Sequence, residues 1–279
     1  MTGVGLRAHC MSARAVLASL LVSACASGVS PQPAPPATAV VPAREIASPR
    51  SGVTFNSADV QRLQADDAGN PGMLWVAQGE QLWNERAGTS EKSCANCHGD
   101  GALSMRGVAA RYPVFDAGEN NLVDVEARIN QCRVRRQGAE ALKYESEPML
   151  ALTTYVANQS RGMPVAASID GPARAHFEAG RQNYVTRQGQ LNLSCAQCHD
   201  DNWGKRLAGS VIPQAHPTGY PIYRLEWEAL GSLERRLRNC MVGVRAEPTT
   251  YGAQELVELE LFLMWRARGM RLETPAVRP

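Results

Sequence analysis

Gly79–His98 reads GEQLWNERAGTSEKSCANCH, and Gly180–His199 reads GRQNYVTRQGQLNLSCAQCH. The two stretches align without a gap. Gly79, Trp83 and Cys94 correspond to Gly180, Tyr184 and Cys195. Each ends in Cys-x-x-Cys-His, the spacing of covalent haem attachment. Two thiols on one helical turn can add to the two vinyl groups of the macrocycle, and the adjacent histidine can reach the iron. The repeat extends further. YPVF from Tyr112 matches YPIY from Tyr220, Arg128 and Cys132 match Arg236 and Cys240, and SRGM from Ser160 matches ARGM from Ala267. Landmarks in the same order predict two homologous units. The second has a longer connection between its histidine and its Tyr-Pro landmark.

Each unit reads as helical. MLWVAQGEQLW (Met73–Trp83) and RAHFEAGRQNY (Arg174–Tyr184) place bulky residues at helix spacing before the cysteines. PMLALTTYVANQS (Pro148–Ser160) and QELVELELFLMWRAR (Gln254–Arg268) predict longer helices towards each unit's end. In the latter, acidic residues at the start and arginines at the end suit the helix dipole. Alternation of the β type is nearly absent. The expected fold is mostly α, with two tandem c-type cytochrome domains at residues 56–165 and 166–279, each binding one covalent haem.

The 279 residues carry a net charge of +2, with 44% hydrophobic side chains. That balance gives no bulk electrostatic reason for nucleic acid or an anionic membrane as partner, and it excludes a disordered chain. The N-terminus reads as an export signal over residues 1–26, with Arg7 and Arg14 ahead of a short apolar run. ACA (Ala24–Ala26) fits ordinary signal peptidase, whereas VSAC (Val22–Cys25) resembles a lipoprotein box that would put a lipid on Cys25, the one expected route to a membrane. A proline-rich linker over residues 27–55 follows. Either cleavage predicts a location in the periplasm.

Of the eight cysteines, Cys94, Cys97, Cys195 and Cys198 are the expected haem attachments, and His98 and His199 the proximal iron ligands. Cys10 and Cys25 belong to the leader. Cys132 and Cys240 remain, at matching positions where a distal ligand belongs. Methionine is the ordinary distal ligand, yet Met163 and Met270 follow the last helix of their units, and Met105 and Met149 have no counterparts. His216 lies in the longer connection of the second unit only, and His176 reads as an ordinary helix residue. Distal cysteine ligation accounts for the symmetry. Two other arrangements stay open at this level. One is a Cys132–Cys240 disulfide, which needs the two Cα atoms within about 7 Å. The other is a zinc site of Cys94, Cys97, His98 and Cys132. Arg128 and Arg236 each precede a candidate ligand by four residues, which puts guanidinium and thiol on one helix face. Arg235, Arg238 and Arg245 add charge around Cys240, and guanidinium groups suit a small oxyanion.

Over residues 60–272 the chain resembles the SoxA family, the dihaem cytochrome subunits of bacterial SoxAX complexes. The resemblance rests on both Cys-x-x-Cys-His motifs, the Tyr-Pro landmarks, RINQC (Arg128–Cys132), SRGMP (Ser160–Pro164) and above all RLRNCMVG (Arg236–Gly243). It implies two covalent haem c groups, each with histidine and cysteine axial ligands. It implies L-cysteine S-thiosulfotransferase activity, in which thiosulfate is joined oxidatively to a cysteine of the SoxYZ carrier. The product is a cysteine S-thiosulfonate, and two electrons pass to haem and on to a monohaem SoxX-type partner in a heterodimer. By position, Cys240 is the catalytic cysteine, carrying a persulfide, and Arg236 is the substrate-binding arginine. A dihaem electron-transfer cytochrome and a dihaem peroxidase are the alternatives, and neither accounts for paired distal cysteines.

Overall fold

The computed structural model describes residues 48–279. The export signal, Cys25 and most of the proline-rich linker lie outside the described residues. Each half is assembled on a crossing of two helices. In the first, α2 (Met73–Asn84) packs on α6 (Glu147–Asn158), and in the second, α7 (Ala173–Val185) packs on α10 (Gln254–Arg266). Between the members of each pair lie the other helices. These are α3 (Cys94–His98), α4 (Gly101–Ser104) and α5 (Val125–Cys132) in the first half, and α8 (Cys195–His199) and α9 (Leu233–Gly243) in the second. Helix α1 (Ala58–Ala65) precedes them.

The paired landmarks Gly79 and Gly180 mark where the crossing helices touch. A Cβ on Gly79 would lie 2.2 Å from the Ala151 carbonyl oxygen, and one on Gly180 would lie 2.0 Å from that of Glu258. Neither obstacle is a flexible side-chain end, so the helices could admit a methyl group only by separating. Gly180→Ala is therefore expected to destabilise the protein by about 1–3 kcal/mol through overpacking. Denaturant unfolding checks this, and an unchanged midpoint would contradict it.

One buried cluster crosses between the halves, and a second, of Val76, Trp83, Leu152, Tyr155 and Val156, lies within the first half. In the crossing cluster Ala110, Leu122 and Val165 join Phe177, Tyr184, Leu259, Leu261 and Phe262. Among the described residues seven strands of two or three residues, too short to show a sequence period, supplement the helices. β1 (Val114–Asp116) pairs with β2 (Asn121–Val123), and β3 (Arg206–Leu207) with β4 (Ser210–Val211), both antiparallel. β5 (Ile222–Arg224) lies between antiparallel β6 (Ala229–Gly231) and parallel β7 (Ala276–Arg278). The chain end thus returns to the sheet, and α1 packs against β7. Within the span read as linker, Ser51 caps a 3-10 turn at Gly52–Phe55.

Buried carboxylates collect where the two halves meet. Asp124 caps α5 by accepting from the Ala127 N–H at 2.6 Å, and Glu126 and Glu234 occupy the matching first turns of α5 and α9. Burial pushes Asp124 up to about 6 and Glu234 up to about 8. Burial and the neighbouring acids raise Glu126 and Glu260 as well. The folded state thus holds protons that the unfolded chain releases near its ordinary carboxylate range. The associated stability is present in full below that range and is lost as pH rises through about 8. Glu234→Gln can keep the carboxylate's bond to the Gly252 N–H (2.8 Å) and has no proton to lose. Its melting temperature relative to the parent should therefore rise between about pH 5 and pH 8. A constant difference across that interval would contradict the assignment.

Candidate functional site

The two attachment helices owe their local structure to one device. In α3, Ser93 Oγ accepts from the Asn96 N–H (3.1 Å) while Asn96 Oδ1 accepts from the Ser93 N–H (2.8 Å). In α8, Ser194 Oγ accepts from the Gln197 N–H (3.3 Å), and Gln197 Oε1 from the Ser194 N–H (2.9 Å). This reciprocal capping box nucleates a turn too short to be stable alone. It sets Cys94 with Cys97, and Cys195 with Cys198, on one turn each.

A second device closes each cleft. The loop before α3 donates from Thr89 and Ser90 to the carbonyls of Gly138 and Gln137. The loop before α8 donates from Gln190 and Leu191 to those of Arg245 and Val244. Each loop is thereby tied to the segment that follows the distal-cysteine helix. Gly88 and Gly189, at φ +67° and +66°, permit the close backbone approach.

Two cavities result. One, of about 320 Å³, is lined by Cys94, Cys97, His98, Met105, Arg128 and Cys132. The other, of about 400 Å³, is lined by His199, His216, Tyr220, Arg236 and Cys240, and of α8 only His199 reaches it. All six described cysteines are free thiols, and Cys132 and Cys240 line different cavities, so the disulfide arrangement is absent. Among the described residues no three His, Cys, Asp or Glu side chains converge on a metal-binding geometry, and the zinc reading fails with that.

The residues do fit a c-type haem. His199 donates from Nδ1 to the Pro213 carbonyl oxygen at 2.7 Å, which leaves Nε2 as the free lone pair. Burial, reinforced by the charges of Arg236 and Arg266, holds its pKa down and the ring neutral. Burial raises the Cys195 thiol to about 12 and pushes Cys198 and Cys94 upward. Behind the second motif, Asp200 accepts from Tyr184 Oη and pairs with the buried Arg266, both at 2.7 Å. The first half has glycine at that position, and Trp83 Nε1 donates to the Gly99 carbonyl at 3.0 Å.

The structure separates the two Arg-x-x-x-Cys pairs, which look alike in sequence. Arg128 is committed. It pairs with Asp116 at 2.5 Å and donates from Nε to Tyr112 Oη at 3.1 Å. Arg236 has no side-chain hydrogen bond or carboxylate partner among the described residues, and the charge of Cys240 is the largest influence raising its pKa. No Asp or Glu lines the second cavity.

The expected ring of α9 arginines is corrected. Of Arg235, Arg236, Arg238 and Arg245, only Arg236 lines the cavity. Arg235 turns to Glu145 (3.7 Å) and lies over Trp227 (4.0 Å), while Arg238 lies over Tyr251 (4.2 Å). For Arg235 and Arg238 helical periodicity is the reason, since neighbours one or two positions from Arg236 point away from the face that i and i+4 share, whereas Arg245 lies beyond the end of α9. Arg206, Arg224 and Arg278, distant in sequence, line the cavity instead. Two of these carry acidic partners, Arg224 with Glu226 (2.6 Å) and Arg278 with Glu273 (3.5 Å).

The candidate ligands set aside in the sequence are also placed. His176 Nδ1 bonds Glu258 at 2.8 Å, a structural role, and Met149 is fully buried in the core. Met105 lines the first cavity alongside Cys132, and His216 lines the second alongside Cys240 with its Nδ1 engaged by the Arg50 carbonyl at 3.0 Å.

The model of the SoxA/TsdA cytochrome c domain matches the chain twice, over residues 78–165 and 179–272. The L-cysteine S-thiosulfotransferase subunit SoxA of Pseudaminobacter salicylatoxidans is 42% identical over 229 residues, which are 82% of this chain and 80% of that protein. Its counterpart from Paracoccus pantotrophus is 36% identical, covering 82% of this chain and 78% of its own length. The crystal structure of SoxXA from P. pantotrophus superposes with a TM-score of 0.82 at 34% identity, covering 84% of this chain and 89% of that one.

Proposed function

From the premise that this chain belongs to the SoxA/TsdA cytochrome c domain family, we infer that it is an L-cysteine S-thiosulfotransferase that conjugates thiosulfate to a carrier cysteine. A sulfur–sulfur bond forms between thiosulfate and the carrier thiol. The thiol S–H bond breaks, and one proton and two electrons leave. The chain is a c-type cytochrome and forms a heterodimer with a SoxX-type partner. In the finer reading it carries two haems in tandem domains, attached through Cys94 with Cys97 and Cys195 with Cys198. His98 and Cys132 would hold the first iron, and His199 and Cys240 the second. Haem bound at the second motif would supply a one-electron acceptor, so the two electrons would leave one at a time, with the SoxX-type partner as the onward acceptor.

The observation that carries the reading is Arg236, without a carboxylate partner of its own, beside Cys240 in a cavity lined by no Asp or Glu. A guanidinium that has no internal anion can bind the thiosulfate dianion by charge-assisted hydrogen bonds and offset its desolvation. Cys240 is the catalytic cysteine in this reading, held four residues along the same helix face beside the sulfurs that join. The Pro213 carbonyl keeps the His199 ring in one tautomer and orientation. Carrier SoxYZ presents the accepting thiol, and the periplasm is the compartment that suits an exported cytochrome.

The test uses protein exported from a haem-competent host and combined with its SoxX-type partner. The intact chain should show two haem additions by mass. Thiosulfate and SoxYZ should yield a carrier conjugate together with haem reduction. Haem reduction without conjugate would favour a plain electron-transfer cytochrome, and peroxide turnover without conjugate a peroxidase.

A further inference from the structure

We propose that residues 48–57 form a strap that positions the proximal ligand of the second site, with Gln214 as the positioning residue. The inference rests on the reading of His199 as that ligand. The strap precedes the first cytochrome repeat in sequence yet packs against the second half. Gln214 is fully buried, and its side chain bridges two points of the strap. The Arg50 N–H donates to Gln214 Oε1 at 2.7 Å, and Gln214 Nε2 donates to the Ser48 carbonyl at 3.4 Å. Two residues on, His216 Nδ1 donates to the Arg50 carbonyl at 3.0 Å. Ser51 Oγ donates to Glu273 at 2.6 Å, which anchors the strap to the segment leading into β7. Arg50 lies over the Phe55 ring, which meets Trp203 edge-on.

The residue bonded to the strap is the neighbour of Pro213, and Pro213 supplies the carbonyl that receives His199 Nδ1. Proline has no N–H of its own with which to pin its position. The peptide that orients His199 is thus fixed from its C-terminal side, by Gln214 and His216 acting on the strap. The first half offers no equivalent, since His98 makes no side-chain hydrogen bond among the described residues and rests against Trp83. The longer connection noted between His199 and Tyr220 supplies this segment, so the device is confined to the second site. Strap residues Gly52, Phe55, Asn56 and Ser57 also line the cavity wall. Partners that orient a ligating histidine set its basicity, and losing one commonly costs about 10–100-fold in affinity or activity.

Three variants of the full chain test this in the holo-complex: Gln214→Met, which keeps the volume and loses both bonds; Gln214→Glu; and a chain with residues 48–56 replaced by glycine and serine. Gln214→Met and the replaced strap should shift the low-spin EPR signal and the midpoint potential of the second haem and leave those of the first unchanged. Conjugation should fall by about tenfold. Gln214→Glu can accept from Arg50 and donate to Ser48 only as the neutral acid, so its second-haem signal should return toward the parent's as pH falls through the buried carboxyl's pKa, which desolvation raises above its ordinary value of about 4.3. Parent-like second-haem spectra in both disruptive variants would overturn the proposal. So would equal shifts at both haems, or loss of the second haem, since either marks a general folding defect. Absence of haem on Cys195 and Cys198 in the parent would instead refute the site reading itself, so the two failures are distinguishable.

Discussion

A Cys240→Ala protein is expected to carry both haems and make no thiosulfate–carrier conjugate. In the proposed reading attachment depends on Cys195 and Cys198, which α8 presents through its own capping box. The substitution removes the sulfur that shares the second cavity with His199 and Arg236. Removal of a group that acts on the reacting atoms lowers turnover rather than substrate capture, so the loss should appear in kcat. The matched Cys132→Ala change should alter the spectrum of the first haem and leave substantial conjugation. Mass, visible spectra and single-turnover conjugation assays separate these outcomes. An active Cys240 variant together with a dead Cys132 variant would move the chemistry to the first half.

The second large effect is expected at Arg236. Arg236→Ala should lower kcat/KM for thiosulfate by about tenfold to more than a hundredfold, corresponding to loss of a charge-assisted contact of about 1.5–3 kcal/mol. Arg236→Lys should recover only part of this, because an ammonium cannot present two parallel donors. Arg128→Ala is the internal control. Its guanidinium is already bound to Asp116 and Tyr112, so its loss should leave thiosulfate conjugation close to that of the parent. Its cost belongs to the local structure of the first half, where Asp116 loses the partner that holds its carboxyl below the usual range. Equal defects in the Arg128 and Arg236 variants would show that neither contacts the oxyanion.

Covalent chemistry and helical period were legible along the chain. Cys-x-x-Cys-His fixes which thiols share a turn, and a Ser three positions before Asn96 or Gln197 spells the capping box that makes the turn. The repeat told where matching parts lie, and α2, α6, α7 and α10 form where the bulky periodicity placed them. Gly79 and Gly180 stood out as landmarks, although only the helix crossings explain them.

Tertiary structure decided the rest, because it depends on which distant side chains meet. Sequence could count arginines near Cys240, yet it could not tell that Arg235 and Arg238 are spent on aromatic rings. Nor could it show that Arg206, Arg224 and Arg278 arrive from elsewhere. Arg128 and Arg236 share one local pattern, and a single carboxylate, Asp116, separates a structural ion pair from a guanidinium without a carboxylate partner among the described residues. The strap is the same kind of fact. Ser48 and Arg50 sit in a stretch whose composition reads as spacer, and a buried glutamine from the far half gives their backbone groups partners. Local propensity acts between neighbours in sequence, whereas the partner of a buried charge or backbone amide is chosen by the folded chain as a whole.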